Sequence, residues 1–265
     1  MALEIMRDPR VRSVEWKDLL RLTRWEVLKE LLLVFPWLAV SLLLAHYRWY
    51  APALGFSFIF FLCGLRVVHN AYHYAIGISR PATEWVMFCL SVMMLSSMHA
   101  LQQTHIHHHN HCLDDDDVEA ASARMKAWQA ILYGPRFYIM IQKKGIELAN
   151  PRQIRWIWAE YAAMGVWVSL ALFVLNIPML KYHTIAMLFG QCLTAFFAVW
   201  TVHHDCDRSH FIARTLRSRI KSLIAFDMFF HVEHHLFPSV PTCHLNELSK
   251  RLDVAAPELA RMQVY

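Results

Sequence analysis

Four long apolar stretches constrain this chain more than any other feature of its sequence. They cover about residues 31–47, 49–66, 156–176 and 184–202. Each is close to the ~17–25 residues that a transmembrane helix needs. A fifth stretch, residues 85–98, is too short to span comfortably, so we predict a re-entrant or interfacial helix there. With 57% hydrophobic residues and no G-x-G-x-x-G or P-loop signature, the chain is predicted to be an all-α integral membrane protein.

The connections within each pair of apolar stretches are very short, which predicts two transmembrane hairpins. Only Arg48 and Lys181 of the 26 lysine and arginine residues fall on the side of the hairpin tips. By the positive-inside rule the opposite face is cytoplasmic, and it would carry both termini and the histidines. We therefore predict one membrane-embedded domain over residues 1–265, with four spans, an interfacial helix and a cytoplasmic helical cap. A positive membrane face also accounts for the net charge of +5, so no nucleic acid partner is expected.

Three histidine clusters lie near the ends of the apolar stretches, and their spacing puts each cluster on one face of a helix. At 100° per residue, positions i, i+3 and i+4 fall within a ~100° arc, and an i, i+4 pair falls within ~40°. Imidazole is the commonest metal-ligating side chain, and eight rings are more than one ion needs. The sequence therefore predicts a polynuclear metal site with the ligands His69, His73, His105, His108, His109, His231, His234 and His235.

The second cluster, HIHHHNH, allows two interpretations. His105, His108 and His109 share one helical face, whereas His107, His108 and His111 share another arc of similar width. We favour the first set because it alone repeats the H-x2-HH spacing of the third cluster. His107 and His111 would then point outward or support the ligands.

Two other polar features need an interpretation. The acidic run at residues 114–117 is either a solvated loop or the source of a carboxylate that hydrogen-bonds the outer nitrogen of a ligand histidine. Isolated histidines are expected to be satisfied polar residues rather than ligands. These are His46, His99, His183, His210 and His244.

The motifs HNAYH, HIHHH and HVEHH, in this order and interleaved with two hairpins, resemble the integral-membrane fatty acid desaturase/hydroxylase superfamily. The continuation HVEHHLFPSVP, residues 231–241, is especially similar to that family's third histidine box. The resemblance covers about residues 52–250. It implies a non-haem di-iron centre held by the eight histidines above, with a further ligand at the end of the fourth span. For that ligand we favour His204, with His203 as the alternative.

The resemblance also implies a function, namely an O2-dependent oxidoreductase that uses two iron ions to attack an unactivated C–H bond. We expect a desaturase of fatty acyl or lipid chains. A lipid or carotenoid hydroxylase or ketolase of the same superfamily is the alternative. A membrane metal transporter is more distant, because transport sites lie near the bilayer midplane whereas these histidines lie at span ends. Zinc competes with iron as the metal, but the H-E-x-x-H signature is absent.

The source of electrons is predicted to be a separate protein. The chain has no cysteine framework for an iron–sulfur cluster, no haem-domain motif and no dinucleotide fingerprint. A ferredoxin, or a small cytochrome with its reductase, would therefore supply the electrons at the cytoplasmic face.

Overall fold

The computed structural model describes residue 5 and residues 7–208 and 211–262, and its regular elements are helical. The described residues contain no strand beyond one isolated β-bridge, between Thr215 and Phe230. The prediction of an all-α protein is confirmed. The main helices are α1 (Arg24–His46), α2 (Tyr50–Tyr72), α3 (Arg80–Met94), α4 (Met98–His111), α5 (Ala127–Leu148), α6 (Pro151–Val174), α7 (Pro178–Gln191), α8 (Ala195–His203), α9 (Arg219–Ile224), α10 (His231–Leu236) and α11 (Leu245–Ala255).

Three of these helices, α1, α2 and α6, are each long and apolar enough to cross a membrane. Two further pairs are bent, α3–α4 by 110° and α7–α8 by 42°, and each pair is either a broken span or a re-entrant segment. The described chain thus has three to five candidate spans, and the predicted number of four lies within this range. The helices extend beyond the apolar stretches, since α1 begins at Arg24 and α2 continues to Tyr72.

The two hairpins turn tightly at residues with left-handed backbone. Arg48 lies between α1 and α2 with φ 61°, and Asn176 lies between α6 and α7 with φ 45°. Asparagine adopts this conformation more readily than most residues, because its short side chain can bond locally. Along the first hairpin, the hydroxyls of Ser41 and Ser57 lie 2.7 Å apart and join α1 to α2.

The sharp bend between α3 and α4 sets the direction of the helix that carries the second histidine cluster. Leu95 at the end of α3 has φ 56°, and Ser97 caps the start of α4. Glu160 of α6 holds this bend, because its carboxylate accepts hydrogen bonds from the hydroxyls of Ser91 (2.6 Å) and Ser97 (2.5 Å). A buried acid thus fixes a bend that the apolar pattern does not reveal.

Helix α5 packs directly on α4 at Gly145, which has no side chain. A Cβ added at Gly145 would collide with the backbone carbonyl of Ala100. Near this contact, the hydroxyl of Thr104 donates to the carbonyl of Ile141 at 2.9 Å. The glycine is therefore required for the close approach of the two helices, which fixes α4 from a second side.

The apolar core has two main parts. One lies among the membrane helices and includes Phe60, Phe61, Met87, Met94 and Met187. The other joins the N-terminal segment to α10 and α11 and includes Val11, Leu19, Val240, Leu245, Leu248 and Leu252. Asn70 links the two parts, because its Oδ1 accepts from the backbone N–H (3.1 Å) and the hydroxyl (2.6 Å) of Thr242. This contact holds the first histidine cluster against the third.

Candidate metal centre

The structure brings nine histidine rings from four helices together, in two groups with one ring between them. Within each group, the candidate ligand nitrogens lie within 4.8 Å of one another. The first histidine group consists of His69, His73, His105 and His234, and the second histidine group consists of His108, His203, His231 and His235.

The ninth ring, His109, lies between the groups but nearer the first. Its Nε2 is 2.9 Å from Nε2 of His234 and 3.2 Å from Nε2 of His105. Its ring also stacks against His235 of the second histidine group, with centroids 4.4 Å apart. With His109 included, the first histidine group can offer five nitrogens and the second offers four.

Helix α4 contributes three of the nine rings, on the face that the H-x2-HH spacing indicates. His105 and His108 are buried, and His109 is half-buried beside them. His107 and His111 lie on another side of the helix, where their rings stack with centroids 4.4 Å apart. The structure thus places the preferred set inward and the alternative set, apart from the shared His108, outward.

At the end of α8, His203 and not His204 reaches the cluster. Nε2 of His203 lies 3.2 Å from Nε2 of His108 and 3.0 Å from Nε2 of His231. His204 instead stacks on Trp200, with ring centroids 4.1 Å apart, and donates from Nδ1 to the Trp200 carbonyl at 2.8 Å. This placement favours the alternative ligand, His203, over His204. Residues Ala195–Trp200 form a π-helix, whose wider turn shifts the phase of the following residues away from that of a regular α-helix.

Asp117 fixes the tautomer of His108. Its Oδ2 lies 2.7 Å from Nδ1 of His108, and it also accepts the backbone N–H groups of Leu113 (2.8 Å) and Ala120 (3.2 Å). Burial alone would raise the pKa of Asp117, but these hydrogen bonds and the charge of His108 hold that pKa below its ordinary value. An ionised carboxylate only accepts, so Nδ1 of His108 carries a proton and Nε2 is the nitrogen turned toward the other rings.

His203 is oriented in the same way by a backbone carbonyl. Its Nδ1 donates to the carbonyl of Ile212 at 2.7 Å, which leaves a lone pair on Nε2. Because each Nδ1 is held by an acceptor, Nε2 of His108 and Nε2 of His203 are the ring atoms turned toward each other, 3.2 Å apart. A metal cation between the two nitrogens fits this arrangement.

A second observation also fits a metal. Nε2 of His69 is buried and has no hydrogen-bond partner among the described residues. Its ring lies beside those of His234 and His105, with centroids 4.0 Å and 4.8 Å away. A buried nitrogen without a partner is costly unless something that the protein itself does not supply binds it. The donor set of the two groups therefore suits bound metal ions.

The three rings on α10 are in the protonation state that a ligand needs. Burial, and next the charge of neighbouring histidines, holds the pKa values of His231, His234 and His235 well below the ordinary value. Neutral imidazole is the form that binds metals. Glu233 lies between these ligand positions in sequence but faces away, and it anchors the helix by accepting from Thr215 (2.7 Å) and pairing with Arg217.

The sequence model of the fatty acid desaturase family matches residues 43–265. The chain belongs to the fatty acid desaturase family. No curated protein and no solved structure matches it. Family membership confirms the resemblance seen in the motifs, and with the apolar helices it makes the chain a multi-pass membrane oxidoreductase of the desaturase/hydroxylase kind.

One supporting residue of this desaturase-family site was missed in the sequence. Glu119, at the start of the 3-10 helix Glu119–Arg124, places Oε1 2.8 Å from Nδ1 of His105. Burial raises the pKa of Glu119 to about 7. The signal was available, since Glu119 is the next acidic residue after the run at 114–117. Within that run, Asp117 supports His108, whereas Asp114 pairs with Arg208 at the surface.

The isolated histidines that the structure describes lie outside the two groups. Both ring nitrogens of His99 are bonded, to Glu160 at 2.6 Å and Glu84 at 2.7 Å. His244 donates to the Leu19 carbonyl at 2.7 Å. His183 bonds the Met93 carbonyl through Nε2 at 2.9 Å, although its Nδ1 is buried without a partner. His46 is exposed, and His210 lies outside the described residues.

A small apolar cavity lies directly beside both histidine groups. Its volume is about 80 Å³. It is lined by His69, His105, His231 and Glu119 on the polar side and by apolar residues that include Leu65, Tyr72, Phe137, Phe197 and Val202. The site can therefore hold a short stretch of hydrocarbon next to bound metals.

Proposed function

We propose that this chain is an O2-dependent membrane desaturase whose nine histidines hold two iron ions. The observation that carries the proposal is the convergence of the histidine nitrogens in two groups, with Nε2 of His108 and Nε2 of His203 3.2 Å apart and each Nδ1 held by an acceptor. The buried, unpartnered Nε2 of His69 supports a second ion in the first histidine group. His69, His73, His105, His109 and His234 would hold one ion, and His108, His203, His231 and His235 the other.

The donor set favours iron over zinc. Imidazole binds both metals, but structural zinc sites close with four ligands and catalytic zinc sites use three. Nine rings in two adjoining groups exceed what a zinc site uses, and membership in the fatty acid desaturase family supports iron. When bound, the irons would supply the redox chemistry that reduces O2 and removes hydrogen from an unactivated C–H bond.

The chain's own residues prepare the site for that chemistry. Asp117 and the Ile212 carbonyl keep protons on Nδ1 of His108 and His203, so that both Nε2 atoms face inward. The apolar lining of the cavity excludes water and binds hydrocarbon. Because methylene groups differ little in reactivity, the carbon that lies nearest the metals is the one that reacts.

The expected reaction removes two hydrogens from a fatty acyl or lipid chain and leaves a double bond. Lipids extracted from cells with and without the chain, analysed by mass spectrometry, test this directly. We expect a product that lacks two hydrogens relative to its substrate, and no such product with His108→Ala. A product that gains one oxygen relative to its substrate would show that the chain is a hydroxylase rather than a desaturase. The absence of any oxidised lipid would overturn the function.

The electrons are proposed to come from a separate ferredoxin, or from a small cytochrome with its reductase, that docks at the cytoplasmic face. The purified protein should therefore turn over only when such a donor is added. Turnover with NAD(P)H alone would contradict this part of the proposal.

A further inference from the structure

A second apolar space lies among the membrane helices and is far larger than the cavity at the histidines. We call it the lateral groove, and its volume is about 980 Å³ against about 80 Å³ for the cavity. Several of its lining residues are strongly exposed, including Leu54 (52%), Leu132 (72%) and Phe189 (72%). These residues lie on or beside candidate spans, so the groove is open on its bilayer side.

The groove and the cavity lie end to end along the same helices. On α2, Tyr50, Leu54 and Phe61 line the groove, while Leu65 and Tyr72 line the cavity. On α5, Ile131, Leu132 and Pro135 line the groove, and Phe137 and Ile141 line the cavity. At the break between α7 and α8, the lining passes from Leu193 in the groove to Thr194 in the cavity. The path from Tyr50 to His69 rises roughly 28 Å along α2, close to the ~30 Å of a bilayer's hydrocarbon core.

An aromatic pair separates the two spaces. Phe58 lines the groove and Phe197 lines the cavity, and their rings meet edge to face with centroids 5.0 Å apart. Aromatic side chains at such a contact can change rotamer without disturbing the backbone. The pair therefore places two movable side chains at a constriction where the linings of the two spaces meet.

The volumes of the cavity and the lateral groove, and the charges in their linings, indicate which part of a lipid each could hold. The cavity holds only a few carbons, so most of a long chain must lie elsewhere, and the groove is the large space in line with it. Among the residues that the structure describes, no lysine or arginine lines the cavity, and the one charged residue in its lining is the acidic Glu119. The basic residue lining the groove is Lys181, three residues after α7 begins, which lies with Tyr50 and Tyr182 at the end farther from the histidines. An anionic headgroup is thus favoured at the far end and an uncharged chain end at the histidines.

We propose that the lateral groove takes the hydrocarbon chain of a membrane lipid from the bilayer and guides it, methyl end first, past Phe58 and Phe197 to the histidine groups. The fate of the chain there rests on the proposed function, but occupation of the groove does not. The substrate is then a lipid resident in the membrane rather than a soluble thioester, and its reacting carbon is set by its distance from the methyl end.

Photolabelling of the metal-loaded protein tests occupation of the groove without requiring turnover. The probe is a phosphatidylglycerol, whose headgroup is anionic, with a diazirine at the methyl end of one chain, in nanodiscs. We expect label on residues that line the cavity, such as Leu65 and Phe137. Gly190→Leu should reduce that label several-fold, because a Cβ at Gly190 fits in ordinary contact with Phe61 and the rest of the side chain would fill the groove.

Gly165→Leu is the matched control, since it also adds a leucine to a candidate span but nothing lies within 4 Å of the added Cβ. The Gly165→Leu variant should be labelled as strongly as the unaltered protein. Both glycine variants should keep the same iron content. Phe197→Ala, which removes one ring of the constriction, should raise the label. Equal labelling of the two glycine variants, or label confined to α10 and α11, would overturn the proposal.

The position of reaction tests the orientation. Phospholipids with acyl chains of increasing length should react at a carbon that keeps a constant distance from the methyl end. A constant distance from the carboxyl carbon would overturn methyl-end-first binding. If no chain is oxidised while the labelling pattern holds, the proposed function fails and the groove assignment stands.

Discussion

The two histidine groups differ in how firmly the protein holds them. All four rings of the second histidine group are buried, whereas His69 and His73 of the first are half-buried. In the second group, an ionised carboxylate and a backbone carbonyl fix Nδ1 of His108 and His203. In the first, the support for His105 is Glu119, whose pKa burial raises to about 7.

This difference indicates a division of labour between the groups. Two of the three rings that line the cavity, His69 and His105, belong to the first histidine group. The first histidine group therefore lies nearer the cavity and is less rigidly held, while the second is an enclosed anchor. The following experiments test that division, beginning with the largest expected effect.

The largest effect is expected at the end of α8. His203→Ala should lower activity by at least about 100-fold and remove one iron per chain, because it deletes a ring of the anchoring group. His204→Ala is the control and should keep both irons, since its ring stacks on Trp200 instead. Activity assays with metal analysis of both variants measure this. Loss of iron in His204→Ala but not in His203→Ala would show that His204 is the ligand at the end of α8.

Release of metal should occur in two steps. A chelator should remove the ion of the half-buried first group at least about tenfold faster than the ion of the buried second group. His73→Ala should accelerate the first step and leave the second unchanged. The metal that remains bound to the protein, measured at successive times after the chelator is added, follows both steps. A single phase in which the two ions leave together would show that the groups do not differ.

Neutralising the carboxylate that orients a ligand should cost more metal affinity in the second histidine group than in the first. Asp117→Asn keeps the shape but removes the charge that holds the proton on His108, and we expect a 10–100-fold loss of metal affinity. Glu119→Gln should have a smaller effect, because a carboxyl with a pKa of about 7 is already partly neutral. Competition with a metal-binding dye measures both affinities. An equal or larger effect of Glu119→Gln would contradict the comparison.

The smallest effect is expected on the outward face of α4. His107→Ala and His111→Ala should change activity and iron content by no more than about twofold, since both rings point away from the two groups. His105→Ala serves as the sensitive reference. If His111→Ala removed metal while His105→Ala did not, the wrong face of α4 would have been assigned.

Features with a local origin could be predicted from the sequence. Apolar length located the candidate spans, and the i, i+3, i+4 spacing selected His105, His108 and His109 over His107 and His111. Both signals depend only on helix geometry and on the polarity of neighbouring residues. For that reason both signals can be recognised in the sequence without knowledge of the tertiary structure.

Features that depend on contacts between distant residues could not be predicted. The π-helix before His203 rotates that ring inward, and counting residues at 100° each does not detect it. The 110° bend after Leu95 depends on Glu160, which lies more than sixty residues away in sequence. Glu119 reaches His105 only because the chain after α4 folds back on it.

Metal content together with the visible spectrum of the detergent-purified protein tests the central claim most directly. Two irons per chain, no Soret absorption, and loss of iron in His203→Ala are predicted. One ion per chain, zinc in place of iron, or a haem spectrum would contradict a paired iron centre built from these nine rings.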